Sequence, residues 1–226
     1  MVDTQSSPSF TGIYDVPEAA RYIRGALNAE VVYPVQSSKM IRWIRRGVAS
    51  PDLADTPGRK LLIGFEDLIS LRVVLALRAA RVKWSRIDRA ETWLRTNTGA
   101  RRPFATEALW TGQGHVFARL REQLLSPSAS GQLAFDILHD YLFPVHGLRF
   151  DDETRMANSW APVAGVVLEP DVQFGSPCLK GTRIPTRTVA GMVEAGDSPE
   201  WVASAYRISR EEVQAACDWE SRLRIK

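Results

Sequence analysis

The 226-residue sequence is poor in the residue types that hold metals and staple small folds, with two cysteines and three histidines. Cys178 and Cys217 lie far apart and fit no metal-ligand spacing, which argues against a zinc module or a disulfide-built scaffold. A single bridge between them is left open, but two lone thiols suit a reducing compartment. His115, His139 and His146 also lack metal spacing, so no metal site and no other cofactor is expected. No apolar run approaches the roughly 18 residues that a membrane span needs. The opening MVDTQSSPSF has no basic-then-apolar leader pattern, so a cytoplasmic protein with no membrane partner is expected. Excess charge is scarce too, since 29 Lys and Arg face 26 Asp and Glu, leaving +3. Bulk charge therefore says little about nucleic acid, and where the cations cluster must decide. No repeat or low-complexity segment is present.

What is there is a globular composition, 45% hydrophobic with seven tryptophans, in a chain long enough for one large or two modest domains. The pattern predicts a mainly α fold with small β-hairpins, an α+β chain in three parts. These are 13–100, a connecting and dimerisation region at 101–165, and 166–226. In the first part, Pro17 opens a short helix through Glu18-Ala19-Ala20-Arg21-Tyr22-Ile23. The segment SSKMIRWIRR restarts a helix with a serine in capping position. SPDLADTPGRKLLIGF reads as a turn and a hairpin. Glu66 to Arg81 is strongly helical, opened by acids and closed by arginines as the macrodipole prefers. Ser85 with Asp88 reads as the capping box of a helix ending near Asn97. In the middle part, TGQG suggests a hairpin, GQLAFDILHDYL an amphipathic helix, and 147–150 a short strand. The last part is extended and turn-rich to Thr186, then helical. Ser198-Pro199-Glu200 opens one helix, and Ser209 with Glu212 boxes the last.

Lys39 to Arg46, placed at 100° per residue, separates into two faces. Met40, Ile41, Trp43 and Ile44 fall on one side; Lys39, Arg42, Arg45 and Arg46 fall on the other, with no acid among them. Such a helix can dock on a core by its apolar side and offer arginines to phosphates and to the acceptor edge of guanine. A solvated basic face on an ordinary helix is the alternative for these eight residues taken alone. The helix before could cross the backbone, and the hairpin after carries Arg59 and Lys60 where a wing would meet phosphate. The order of short helix, basic helix, hairpin, Phe65-Glu66-Asp67-Leu68, long helix and capped helix resembles the MerR-type winged helix over about residues 13 to 97. The link from about Gly25 to Ser37 is longer than a tight helix-turn-helix requires. The resemblance implies DNA contacts at Ser38, Lys39, Arg42, Arg45, Arg46, Arg59 and Lys60.

A second constellation lies at the other end. LEPDVQFGSPCLKGTRIPT, followed by AGMVEAGDSPEWVASAYRISREEVQAACDWE, resembles a small antitoxin-associated domain often encoded beside PIN-like nucleases. Its last two helices have helix-turn-helix spacing, with Val202, Ala203, Tyr206, Ile208, Val213 and Ala216 packing them together. Arg207 stands where a glycine is usual, and Glu211 and Glu212 make this pair a poorer DNA reader than the first. Packing or dimerisation is at least as good a reading of it. Lys180, Thr182, Arg183 and Arg187 cluster around Gly181 and Pro185 and could bind phosphate, pair with a partner subunit's acids, or face the carboxylates of a nuclease site. These alternatives stay open.

Together the two resemblances imply a VapB-type antitoxin. Such a protein binds a PIN-type ribonuclease toxin and represses its own operon by binding operator DNA as a homodimer, with no catalytic residues of its own. A stand-alone MerR-like regulator responding to a small molecule held within 101–165 is the alternative. An enzyme acting on nucleic acid would need converging carboxylates; Asp151, Asp152 and Glu153 are adjacent, but neighbours in an extended chain point to different faces.

Overall fold

The structure, a computed structural model, describes residues 12–27, 35–45, 61–79, 82–110 and 147–224. Arg46, Arg59, Lys60, the expected wing hairpin, and the TGQG hairpin and amphipathic helix of the middle region lie outside them.

Strand β1 (Tyr14–Asp15) runs directly into helix α1 (Val16–Ala26), followed by α2 (Ser37–Ile44), β2 (Leu62–Ile63), α3 (Phe65–Ala79) and α4 (Trp84–Thr98). A 3-10 turn at Pro103–Ala105 leads to the short α5 (Glu107–Trp110). Then come β3 (Leu148–Phe150), β4 (Ala157–Val163), β5 (Val166–Leu168) and β6 (Cys178–Leu179). Three helices finish the chain: α6 (Thr186–Glu194), α7 (Pro199–Tyr206) and α8 (Arg210–Arg224). Among the described residues the result is mainly α with two small antiparallel sheets, an α+β fold as the sequence predicts.

Asp15 caps α1, its Oδ1 accepting from the Glu18 N–H at 2.7 Å, and Pro17 sits in the first turn where its missing donor is not needed. The apolar run at Leu61 finds its described strand partner in β1, with Tyr14 opposite Ile63 and Asp15 opposite Leu62. α3 is apolar on nearly every side: Phe65, Leu68, Ile69, Leu71, Val73, Val74 and Leu77 are all buried. A helix hydrophobic all round belongs at a centre, and α3 is the axis of the main core.

Two expected caps are displaced. α2 begins at Ser37 with Gln36 as its N-cap and no side-chain cap, so both serines lie inside the helix. α4 begins at Trp84, capped by the backbone of Lys83, and Ser85 is an exposed residue of its first turn. Packing explains the second shift. Trp84 is held against Trp43 at 5.6 Å between ring centroids, with the Arg78 guanidinium over its ring at 5.2 Å, so docking of Trp84 starts the helix two residues early.

β3 to β6 form a four-stranded antiparallel meander in sequence order, two strands from either side of residue 165. Trp160 of β4 is fully buried beneath the Arg72 guanidinium of α3, 5.2 Å from its ring centroid. The two ends of the chain meet. Tyr14 donates its hydroxyl to the Gly175 carbonyl at 3.0 Å, and a Cβ on Gly175, where φ is +84°, would lie 2.0 Å from that hydroxyl. Glycine alone fits there. Gly25 of α1 does a similar thing against α8, where an added Cβ would come within 2.8 Å of Leu223.

The C-terminal helices enclose a second small core of Leu179, Val189, Val202, Ala203, Val213 and Ala216, with Tyr206 and Ile208 packed against it. Ser198 caps α7 by accepting from Trp201 N–H at 3.2 Å. Ser209 and Glu212 exchange the two hydrogen bonds of a capping box at 2.7 and 3.1 Å. Arg207 takes the left-handed conformation (φ 55°, ψ 44°) that the turn demands, in place of a glycine.

Candidate functional site

On α2, Met40, Trp43 and Ile44 are buried and Ile41 is half-buried, so one face of the helix is fixed to the core. Ser38, Arg42 and Arg45, spaced four and three residues apart, are exposed along the other face, with Lys39 half-buried beside them. Trp43 wedged on Trp84 sets the roll of the helix about its axis and hence the direction of the basic stripe. The structure thus brings three of the seven proposed DNA contacts onto one short helix and a fourth, Arg45, to its C-cap. The other three, Arg46, Arg59 and Lys60, fall outside the described residues.

The second cluster is built by a tight turn after β6. Gly181 is left-handed at φ +78°, and Thr182 closes the turn. Its hydroxyl donates to the Leu179 carbonyl at 2.9 Å and accepts from Ile184 N–H at 3.1 Å. That hydroxyl is thereby committed to the turn, whereas Lys180, Arg183 and Arg187 are exposed. Gln173 ties the preceding loop to this turn by donating Nε2 to the Arg183 carbonyl at 3.1 Å.

Arg187 also lines a cleft of about 610 Å³ that sequence reasoning missed. Its walls are α1, the first residue of α2, residues 176–177, the start of α6 and the end of α8. Arg21, Arg24, Arg187 and Arg224 face it together with Glu18 and Glu220. Both glutamates are engaged by wall hydroxyls: Tyr22 donates to Glu18 Oε1 at 2.7 Å, and the buried Thr186 to Glu220 Oε1 at 2.6 Å. Burial, reinforced by Glu18, pushes the Tyr22 phenol far above its ordinary range, so it stays a donor. Arg21 and Arg24 repeat three residues apart on α1, which is the one local signal of this site. Its other half, nearly two hundred residues on, has no local signal.

The carboxylates at 151–153 form no converging set. Asp151 folds back to accept from Thr154 N–H at 2.8 Å, Thr154 Oγ1 at 2.9 Å and Glu153 N–H at 3.1 Å, while Asp152 and Glu153 point to solvent. Those bonds hold the Asp151 carboxyl below its usual range, as expected of a turn-capping residue. Among the described residues no group of three His, Cys, Asp or Glu is placed to hold a metal, and no helix is long and apolar enough to cross a membrane. Cys178 and Cys217 are both free thiols.

Residues 166–219 match the family described as "Protein of unknown function (DUF433)". The sequence is 26% identical to a Mycobacterium tuberculosis protein named "Putative antitoxin VapB45", over 91% of this chain and 92% of the other. The X-ray crystal structure of Rv2018 from Mycobacterium tuberculosis has the same fold, with a TM-score of 0.70 at 22% identity. That match covers 91% of this chain and 96% of that one.

Proposed function

We propose that this protein is the antitoxin of a type II toxin–antitoxin pair. In this reading it binds and neutralises a PIN-type ribonuclease and represses its own operon by binding operator DNA as a dimer. The observation that carries the proposal is that similarity to the VapB45 relative runs through nearly the whole of both chains, not through 166–219 alone. The geometry of α2 supports the DNA half. Three buried residues anchor it, so Arg42 and Arg45 are presented from a helix whose backbone is already ordered before binding. Arg46, Arg59 and Lys60, which lie outside the described residues, are assigned to DNA contact in the same reading. One short helix reads few base pairs, and a two-fold dimer doubles the site. The nuclease half falls to Lys180, Arg183 and Arg187, whose cations suit the carboxylates of a magnesium-dependent ribonuclease.

The test is co-expression with the product of the adjacent reading frame, which this reading expects to be a PIN-like nuclease. The two proteins are expected to elute as one complex whose magnesium-dependent RNase activity is suppressed. A nuclease that elutes separately and stays fully active in the presence of this protein would overturn the assignment.

A further inference from the structure

We infer that the cleft between α1, α6 and α8 seats an acidic peptide segment of a partner protein. Four arginines face it against two glutamates, so its field favours a negative guest. Both glutamates are already occupied by hydroxyls of the wall. Arg224 reaches out of the cleft to Glu194. Among the described residues, Arg21 and Arg187 make no ion pair, and both are exposed, one on α1 and the other on α6. Carboxylates spaced along a guest segment would gain a charge-assisted hydrogen-bonding partner in each without breaking an existing pair.

The shape selects a segment of chain over a duplex. A concavity of about 610 Å³ is too small to admit a double helix, whose major groove alone is about 12 Å wide. Pro17, Pro177 and Leu223 give apolar wall on which the stems of glutamate or aspartate side chains can lie. Ser37, the first residue of α2, also lines the cleft. An occupant therefore touches the root of the basic helix as well as Arg187. The site is independent of whether α2 binds DNA; only the identity of the partner, a nuclease toxin, rests on the antitoxin reading.

The experiment is calorimetric titration of the full chain at low salt with a hexaglutamate peptide, with hexaglutamine, and with inorganic phosphate. Hexaglutamate is expected to bind and hexaglutamine not to. The Arg21→Glu/Arg187→Glu double variant, with wild-type circular dichroism, is expected to weaken binding by about tenfold or more, because like charges then face the guest. Glu220→Gln, which keeps an acceptor for Thr186, is expected to tighten binding by about threefold. This opposite sign keeps the test decisive if the double variant misfolds. Hexaglutamate binding that ignores both changes, or phosphate binding as tight as the peptide's, overturns the proposal. A toxin neutralised equally well by the double variant would sink the cleft and leave the antitoxin reading standing. Peptide binding at the cleft with no nuclease partner would do the reverse.

Discussion

Burial sets how several side chains ionise. Cys178 is pushed up to about 11 by desolvation and then by Glu169, so at neutral pH it is an inert thiol rather than a redox sensor. Glu91, on the inner side of α4, carries a raised pKa because desolvation outweighs the attraction of Arg95, which it meets at 2.6 Å. A carboxyl whose folded pKa lies above its unfolded one favours the fold while protonated. That contribution is present below the unfolded pKa and fades as pH climbs through the folded one. At neutral pH, where the unfolded carboxyl is ionised, burying this group is therefore a net cost. Glu91→Gln is expected to raise the melting temperature at pH 7, with the advantage shrinking as both proteins are melted at pH values below the ordinary glutamate range. A variant less stable than wild type at pH 7 would show that the Arg95 pair outweighs burial.

Elements, by contrast, are held by contacts distant in sequence. Asp67 was legible as one of two acids favouring the start of α3. In the structure it is buried and its carboxylate takes the Nε–H of Arg102, itself buried, while also accepting from Gly64 N–H at 3.3 Å. Asp67→Ala is expected to cost about 3–5 kcal/mol in urea denaturation by removing the buried carboxylate that Arg102 meets, and Asp67→Leu with Arg102→Met to recover most of it. A single variant as stable as wild type would contradict this. The contrast with the C-terminal caps is instructive. Ser198 and the Ser209–Glu212 box were readable because capping is settled within four residues. The Asp67–Arg102 pair, the pairing of β1 with β2, and the approach of α1 to α8 through Gly25 depend on where remote segments land. The cap expected at Ser85 failed for the same reason, since Trp43, forty residues earlier, claims Trp84.

At the scale of the whole molecule, one core runs from Tyr14 to Trp219, so the basic helix and the last helix, α8, share a foundation. The modest net charge of +3 conceals an uneven distribution, with cations collected on the outer face of α2, at the turn after β6 and around the cleft. The basic stripe was legible because helical periodicity fixes which side chains share a face; the cleft was not, because two chain ends build it. The regulatory reading depends on α2 meeting phosphate. Binding of the full chain to the DNA upstream of its own reading frame should therefore be followed over a series of salt concentrations, for wild type and Arg42→Ala. Wild type is expected to show a steep loss of affinity with salt, and the variant a slope lower by about one unit. Affinity and slope both unchanged on removing Arg42 would take α2 off the DNA.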